Sequence, residues 1–420
     1  MKVFKFGGAS IQSVENIKNV GSILKTYAND PVCIIISALG KTTNALERVV
    51  NTYYKGEQAT ALALFEEIKQ SHLSLAKELL NDRLSHTESY LLDFFTEVEW
   101  LMHDRVVQSY DYYYDQIVCV GELMSSTIVS NYLNEIGFKN EWLDVRDILR
   151  TNDAFRFASV DLDFFQNAVD QQVKSILSEK SVITQGFIGS TDENESTTLG
   201  REGSDYSAAL FAHALNAKNL TIWKDVPGFM TADPKVFNEA NFIPSLSYQD
   251  VIELSFYGAQ VVHPKTIQPL LDKKIPLYIK SFIQPAEQGT LVSEQTVKGL
   301  PPVIVKKDHQ CLIEFTTPDY SFVGGKPLQT LYEILDNHHL TSHLIQVGAV
   351  SVQICLTYDK NTTPNLATSL ATLGEVNIQQ NLTLYTIRNY NGTLIKKYID
   401  NDNIILLQQT NNTYQALLKN

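Results

Sequence analysis

The segment Thr197-Thr198-Leu199-Gly200-Arg201-Glu202-Gly203-Ser204-Asp205-Tyr206 joins permissive backbone to dense charge. Gly200 and Gly203 allow a tight turn with positive φ. Ser204 or Asp205 is the natural N-cap of a helix running on to Leu215. A helix start behind a glycine loop attracts anions, because its unpaired N–H groups and its dipole point outward. Arg201, Glu202 and Asp205 crowd that turn. Alone, the segment also suits a surface turn. A second candidate is Lys5, just before Gly7-Gly8. An ammonium beside two glycines can neutralise phosphoryl oxygens while backbone N–H groups approach them. The plain alternative is a lysine snorkelling at a strand edge. Neither G-x-x-x-x-G-K-[ST] nor G-x-G-x-x-G occurs, so a phosphate site must combine the Lys5 turn with the Arg201 loop.

These groups need a scaffold. Lys2 to Phe6 reads as a strand, and Val14, Ile17, Val20 and Leu24 recur at helical spacing behind it. Val32 to Ser37 is apolar enough to be buried on both faces of a parallel sheet. This opening indicates α/β, and the polar loop Ser37 to Asn44 lies where such a sheet places ligands. Helices fill most of Thr60 to Leu133, and Glu122 opens the last of them. Further strands are expected near Glu141–Val145, Ser181–Phe187, Leu220–Val226 and Pro276–Ile279, and a helix over Ser247–Tyr257. Beyond a Pro- and Gly-containing stretch the order becomes β-α-β-β-α-β, the ferredoxin-like signature. Ile404–Gln408 then adds a strand and Thr413–Leu418 a short helix.

A chain of 420 residues implies two or three domains. Its net charge of −13 argues against nucleic acid or an anionic membrane surface as partner. Cys33, Cys119, Cys311 and Cys355 lie in apolar runs without metal spacing, which fits a reduced, cytoplasmic protein. Met1 leads straight into a strand, so no signal peptide is expected, and no apolar run approaches a membrane span.

In register, these motifs resemble the aspartate kinases of the amino-acid kinase superfamily. The resemblance rests on Lys5-Phe6-Gly7-Gly8-Ala9-Ser10, Ser37 to Asn44, Gly121-Glu122-Leu123 and Leu199 to Tyr206. It continues through Trp223 to Gly228, Thr231-Ala232-Asp233-Pro234 and Tyr257 to Pro264. It implies a three-layer αβα sandwich with a mainly parallel sheet, plus a C-terminal α+β ferredoxin-like ACT region. The implied catalytic domain is 1–290, with a nucleotide lobe from about 184, a linker over 291–302, and a regulatory region over 303–420 whose second module looks truncated. The implied reaction moves the ATP γ-phosphoryl group, with Mg²⁺, to the side-chain carboxylate of L-aspartate. That is the first step toward lysine, threonine and methionine. The carboxylate, with a reference pKa of ~4, is ionised already, so positioning and charge neutralisation suffice.

By that resemblance Lys5 compensates the transferring phosphoryl group, and Arg201 forks onto the substrate α-carboxylate. Glu122 pairs with the α-ammonium, while Ser37, Thr43 and Ser204 contact substrate. Asp205 organises the junction of substrate, phosphate and metal. ATP falls to Lys5, Phe6, Gly7, Gly8, Lys224, Asp225, Met230, Lys235, Gln260 and Val261, and no set of protein metal ligands is implied. Met230, Lys235 and Gln260 depart from the usual aromatic, Arg and Lys, which implies weaker ATP binding. Glu202 replaces a usual Gly and is expected to point away from the phosphates. His263 reads as a helix-start residue rather than a catalyst. The resemblance also implies a homodimer formed through the ACT region. The Asp and the Ser-Glu pair of the family's lysine-sensing members correspond to His343, Gly348 and Ala349, so lysine is expected to inhibit poorly or be replaced by another effector; a dimerisation module without effector is the plain alternative. Two rivals remain: a kinase for glutamate, acetylglutamate, carbamate or a nucleotide, and a non-catalytic regulator on a decayed kinase. Glu122 and the ACT tail oppose the first; joint retention of Lys5, Glu122, Arg201 and Asp205 opposes the second.

Overall fold

In a computed structural model the described residues are 1–28, 30–259, 261–338 and 340–419. Strand β1 (Lys2–Phe6) leads through a turn to α1 (Val14–Lys25) and then β2 (Val32–Ile36). A helical stretch follows as α2 (Thr42–Tyr54), α3 (Gln58–Leu79), α4 (Leu84–His103), α5 (Tyr110–Val118) and α6 (Val120–Glu135). After β3 (Asn140–Trp142) come α7 (Leu162–Ala168), α8 (Lys174–Leu177), β4 (Ser181–Gln185), and the hairpin of β5 (Ile188–Ser190) and β6 (Ser196–Thr198). Then follow α9 (Gly203–Ala214), β7 (Asn219–Lys224), β8 (Ser245–Ser247), α10 (Tyr248–Tyr257), α11 (Pro264–Asp272), β9 (Leu277–Ser281) and β10 (Thr290–Ser293).

The sheet order is β3-β4-β2-β1-β7-β9-β10-β8, parallel from β3 through β9. Its central strands, VFKF in β1 and VCIII in β2, are buried throughout, as a sheet covered on both faces requires. Helices α6 and α9 are likewise buried nearly all round rather than on one stripe. Lys5 pairs in register with Ile35 and Ile222, so it stands near the carboxyl ends of the central strands. That is where an open α/β sheet presents its ligand-binding loops. The stretch read as linker from 291 begins inside this sheet, because β10 pairs antiparallel with β9 and parallel with β8.

The chain divides into two compact units: Met1–Phe229, Phe242–Ile252 and Gln260–Val297 form one, and Met230–Asn241, Glu253–Ala259 and Lys298–Asn420 the other. The second contains β11 (Val303–Thr316), α12 (Gly325–Asn337), β12 (Leu344–Val347), β13 (Ser351–Thr357), α13 (Thr362–Leu370), β14 (Glu375–Arg388), α14 (Gly392–Tyr398), β15 (Ile404–Gln409) and β16 (Thr413–Lys419). Its antiparallel sheet runs β12-β13-β11-β14-β16-β15. β11, α12, β12, β13, α13 and β14 realise the expected β-α-β-β-α-β order, with Ile313, Phe315, Leu331, Leu335, Ile354 and Leu366 in one core. The expected terminal helix over Thr413–Leu418 is instead β16, paired to β14 and β15 and buried along its length. Its Ala-Leu-Leu run favours helix locally, but partners on both sides decide the state. Among the described residues no helix is long and apolar enough to cross a membrane.

Candidate active site

A cavity of about 540 Å³ lies in the first unit, walled by the turns after β1 and β2, the start of α6, and the loop into α9. Lys5, Gly8, Ser37, Thr43, Glu122, Arg201, Ser204, Asp205 and Lys224, all anticipated from sequence, line it. Gly8 is required by close approach: a Cβ there would stand 2.7 Å from the Gly40 carbonyl oxygen and 2.8 Å from that of Ala38. Any side chain would part the β1 and β2 turns. Phe6 does not line the cavity; it is fully buried and stacks on Trp223 at 5.8 Å. The Val261 carbonyl accepts a hydrogen bond from Lys224, whereas Asp225 is exposed in the turn after β7. Met230 and Lys235 belong to the second unit, and Gln260 lies outside the described residues.

Charge is concentrated around Asp205. Lys5 Nζ is 2.6 Å from its Oδ1 and Lys224 Nζ 3.3 Å from its Oδ2. Burial alone would raise the Asp205 carboxyl; the charges of Lys224 and Lys5 outweigh it and hold the group below the usual carboxylate range. Burial likewise pulls Lys224 down, and the carboxylates of Asp205 and Glu202 bring it back above its ordinary value. One carboxylate therefore spaces two ammonium groups whose mutual repulsion would otherwise part them. Two strands supply the lysines and a helix start supplies the acid.

Glu122, on α6, is 3% exposed. Burial pushes its carboxyl up to about 8, against the opposing effects of the Ala38 backbone N–H, its own N–H and the Lys5 charge. Its Oε2 has no hydrogen-bond partner. A carboxyl whose folded pKa exceeds its unfolded value stabilises the protein at low pH and loses that contribution as pH rises through the folded value. The thermal midpoint of the ligand-free chain is therefore expected to fall more steeply between about pH 5 and 8 than that of Glu122→Gln. Parallel midpoint curves would refute this assignment.

The loop into α9 differs in detail from expectation. Its positive φ values fall at Gly200 (78°) and Glu202 (54°), not at Gly203. Glu202, rather than Ser204 or Asp205, is the N-cap residue, and its side chain makes no capping bond. The Glu202 side chain lines the cavity instead of turning away, with Oε2 buried and unpartnered. Its charge also raises the Lys224 ammonium's pKa. His263 is a helix-start residue as expected, its ring accepting a hydrogen bond from the Lys265 N–H at the start of α11.

These features have counterparts in known proteins. The Amino acid kinase family model matches residues 1–281. Lysine-sensitive aspartokinase 3 of Escherichia coli is 31% identical over 395 residues, which is 92% of this chain and 86% of that one. The chain belongs to the aspartokinases of the amino acid kinase family. The E. coli aspartokinase III structure in complex with aspartate and ADP superposes with a TM-score of 0.81 at 28% identity, covering 100% of this chain and 96% of that one. Bifunctional aspartokinase/homoserine dehydrogenase 1 of Zea mays is 31% identical over 299 residues; these are 70% of this chain and 32% of the maize protein.

Glu47, Tyr114, Arg156, Phe157 and Phe187 also line the cavity, and sequence reasoning missed them; Thr198, at the head of the glycine loop, lines it too. Buried Asp115 positions several of these. It accepts hydrogen bonds from the Arg156 N–H (2.8 Å), the Thr198 N–H (2.8 Å) and the Thr198 hydroxyl (2.6 Å), tying β6 and the loop before α7 to α5. Arg156 lies over the Tyr114 ring at 4.4 Å and pairs with Asp111 at 3.2 Å. Its non-glycine positive φ of 68° has no local sequence cue. Phe187 lies two residues beyond the end of β4 at Gln185 and also has positive φ, so the strand expected to run through Phe187 stops short of it.

Proposed function

We propose that the chain transfers the γ-phosphoryl group of ATP to the side-chain carboxylate of L-aspartate, giving 4-phospho-L-aspartate, the entry step to lysine, threonine and methionine. The observation carrying this reading is the Lys5–Asp205–Lys224 constellation, at 2.6 and 3.3 Å, in one cavity with Glu122 and Arg201. Two ammonium groups held by a buried carboxylate suit a phosphoryl group whose charge spreads over its equatorial oxygens. Lys5 and Lys224 take that charge, and the Gly7-Gly8 turn lets backbone N–H groups approach the phosphates. Arg201 grips the substrate α-carboxylate and Glu122 its α-ammonium. Ser37, Thr43 and Ser204 complete the substrate wall. An arriving ammonium also favours ionised Glu122, so aspartate binding near neutral pH is coupled to proton release.

Mg²⁺ bound with a nucleotide takes one or two carboxylates besides phosphate oxygens and water. Among the described residues no cluster of three His, Cys, Asp or Glu could hold a metal unaided. Both Asp205 oxygens face lysines, whereas Glu202 Oε2 is free, so the cavity fits the ion on one carboxylate oxygen. When bound, the ion would neutralise phosphate charge. The deciding experiment offers ATP·Mg with aspartate, glutamate, acetylglutamate and carbamate, trapping any acyl phosphate with hydroxylamine. Aspartyl hydroxamate is the expected product; a preference for another acid, or no product, would overturn the proposal.

We further propose that the second unit is an ACT-type regulatory and dimerisation region that responds poorly to lysine. His343 is bound at Nδ1 to Lys307 Nζ (3.0 Å) and at Nε2 to the Thr357 hydroxyl (3.0 Å). Burial, reinforced by the Lys307 charge, pushes its pKa down to about 4. Gly348 and Ala349 occupy the exposed turn between β12 and β13. None of the three offers a charge for a ligand ammonium, a loss worth ~1–3 kcal/mol or more per unmet group. Activity is expected to persist in submillimolar lysine, and strong inhibition there would sink this reading.

A further inference from the structure

Two cavity acids, Glu122 and Glu202, each bury an Oε2 atom without a hydrogen-bond partner. The proposed reaction gives Glu122 a contact with substrate and gives Glu202 none. Glu202 stands in the left-handed region at φ 54°, ψ 27°, where a residue with a Cβ is strained by roughly 1–2 kcal/mol and glycine is not. It is the N-cap residue of α9, yet its carboxylate does not cap the helix. Strain and desolvation at one residue of a binding cavity point to a contact made only when ligand is present.

The chemistry of that contact follows from the neighbours. A carboxylate accepts hydrogen bonds or binds cations, and cannot face phosphate oxygens directly without repulsion. Glu202 is an electrostatic neighbour of Lys224, which also pairs with Asp205, so it stands on the phosphate side of the cavity. Both Asp205 oxygens are engaged by lysines, at 2.6 and 3.3 Å. Glu202 Oε2 is thus a carboxylate oxygen without a hydrogen-bond partner on the Lys224 side of the pair, as Glu122 Oε2 is on the Lys5 side. A hard divalent cation between it and the phosphates removes the repulsion, and it matches the ligand set such ions take with nucleotides.

We propose that Glu202 is a direct ligand of the divalent cation that accompanies the nucleotide phosphates, a site that rests on the ATP-dependent reading above. The test uses the full chain with ADP and Mn²⁺, free and bound Mn²⁺ being counted by electron paramagnetic resonance. Glu202→Gln removes the charge at constant shape, and Glu202→Gly removes the side chain where glycine suits the backbone. Thermal midpoints at or above wild type are expected for Glu202→Gly. Both variants are expected to weaken Mn²⁺ binding to the protein–ADP complex about tenfold or more. ADP affinity without metal is expected to hold or tighten, because a negative charge has gone. Mn²⁺ affinity within twofold of wild type in both variants would overturn the proposal. So would parallel loss of metal-free ADP binding, which would make Glu202 a loop-shaping residue, or a change confined to aspartate affinity. If wild type forms aspartyl hydroxamate while the variants keep Mn²⁺ affinity, only the metal assignment falls. If wild type binds no ADP, the ATP-dependent reading falls and takes this one with it.

Discussion

Lys5→Met is expected to lower kcat by roughly 10³ while leaving a folded protein. Its ammonium is 2.6 Å from Asp205 Oδ1, and its side chain is only 10% exposed. Removing one charged group aimed at developing phosphoryl charge costs about 10²–10³ in rate in comparable sites. The upper figure applies because Lys5 also helps hold Asp205, and through it Lys224, in place. Asp205 keeps the Lys224 partner, so the stability loss should fall below the ~3–5 kcal/mol typical of a buried charge left alone. Lys5→Arg should not rescue. The ammonium is a compact point charge set 2.6 Å from Asp205 Oδ1, and a planar guanidinium would spread that charge over a fork of different reach. Single-turnover phosphorylation with saturating ATP and aspartate measures the effect. A rate within tenfold of wild type would remove Lys5 from the chemistry.

The second large effect is expected from Arg201→Ala. Arg201 is exposed, on the loop between Gly200 and the start of α9, so truncation should leave the thermal midpoint unchanged. Bidentate, charge-assisted bonds to a carboxylate are worth ~3–4 kcal/mol together, or roughly 10²–10³ in kcat/KM for aspartate. ATP binding should change little. Arg201→Lys should recover part of the loss, since charge returns without the fork. The informative comparison is the KM for aspartate against that for ATP. An aspartate KM within twofold of wild type, with kcat also unchanged, would assign Arg201 to the surface.

Some of the candidate site was legible without coordinates. Lys5 beside Gly7-Gly8, the acid-rich helix start at Asp205 and the Glu122 helix are each contiguous patterns, and all three reach the cavity. Arg156 and Asp115 were not legible, because their meaning lies in contacts between distant segments. A buried aspartate on a tyrosine-rich helix looks like any polar residue until Thr198 and Arg156 are brought to it. Glu202 was visible as an oddity, and it lies among the residues that line the cavity. The turn's positive φ was assigned to Gly200 and Gly203, whereas Gly200 and Glu202 take it.

The same division holds for the fold. The amino-acid sequence by itself determined the α/β character of the first unit, the β-α-β-β-α-β order of the second, and the positions of the chemistry-bearing turns. Apolar runs, glycine turns and helix starts act over a few neighbouring residues, so they can be read locally. Tertiary structure alone decided that Thr413–Lys419 is a strand, that β10 joins the first sheet, and that segments of 230–259 join the second unit. It alone also joined Lys5 and Lys224 to Asp205. Strand pairing and buried ion pairs form between residues far apart in the chain, and their energy depends on which partner arrives and how completely water leaves.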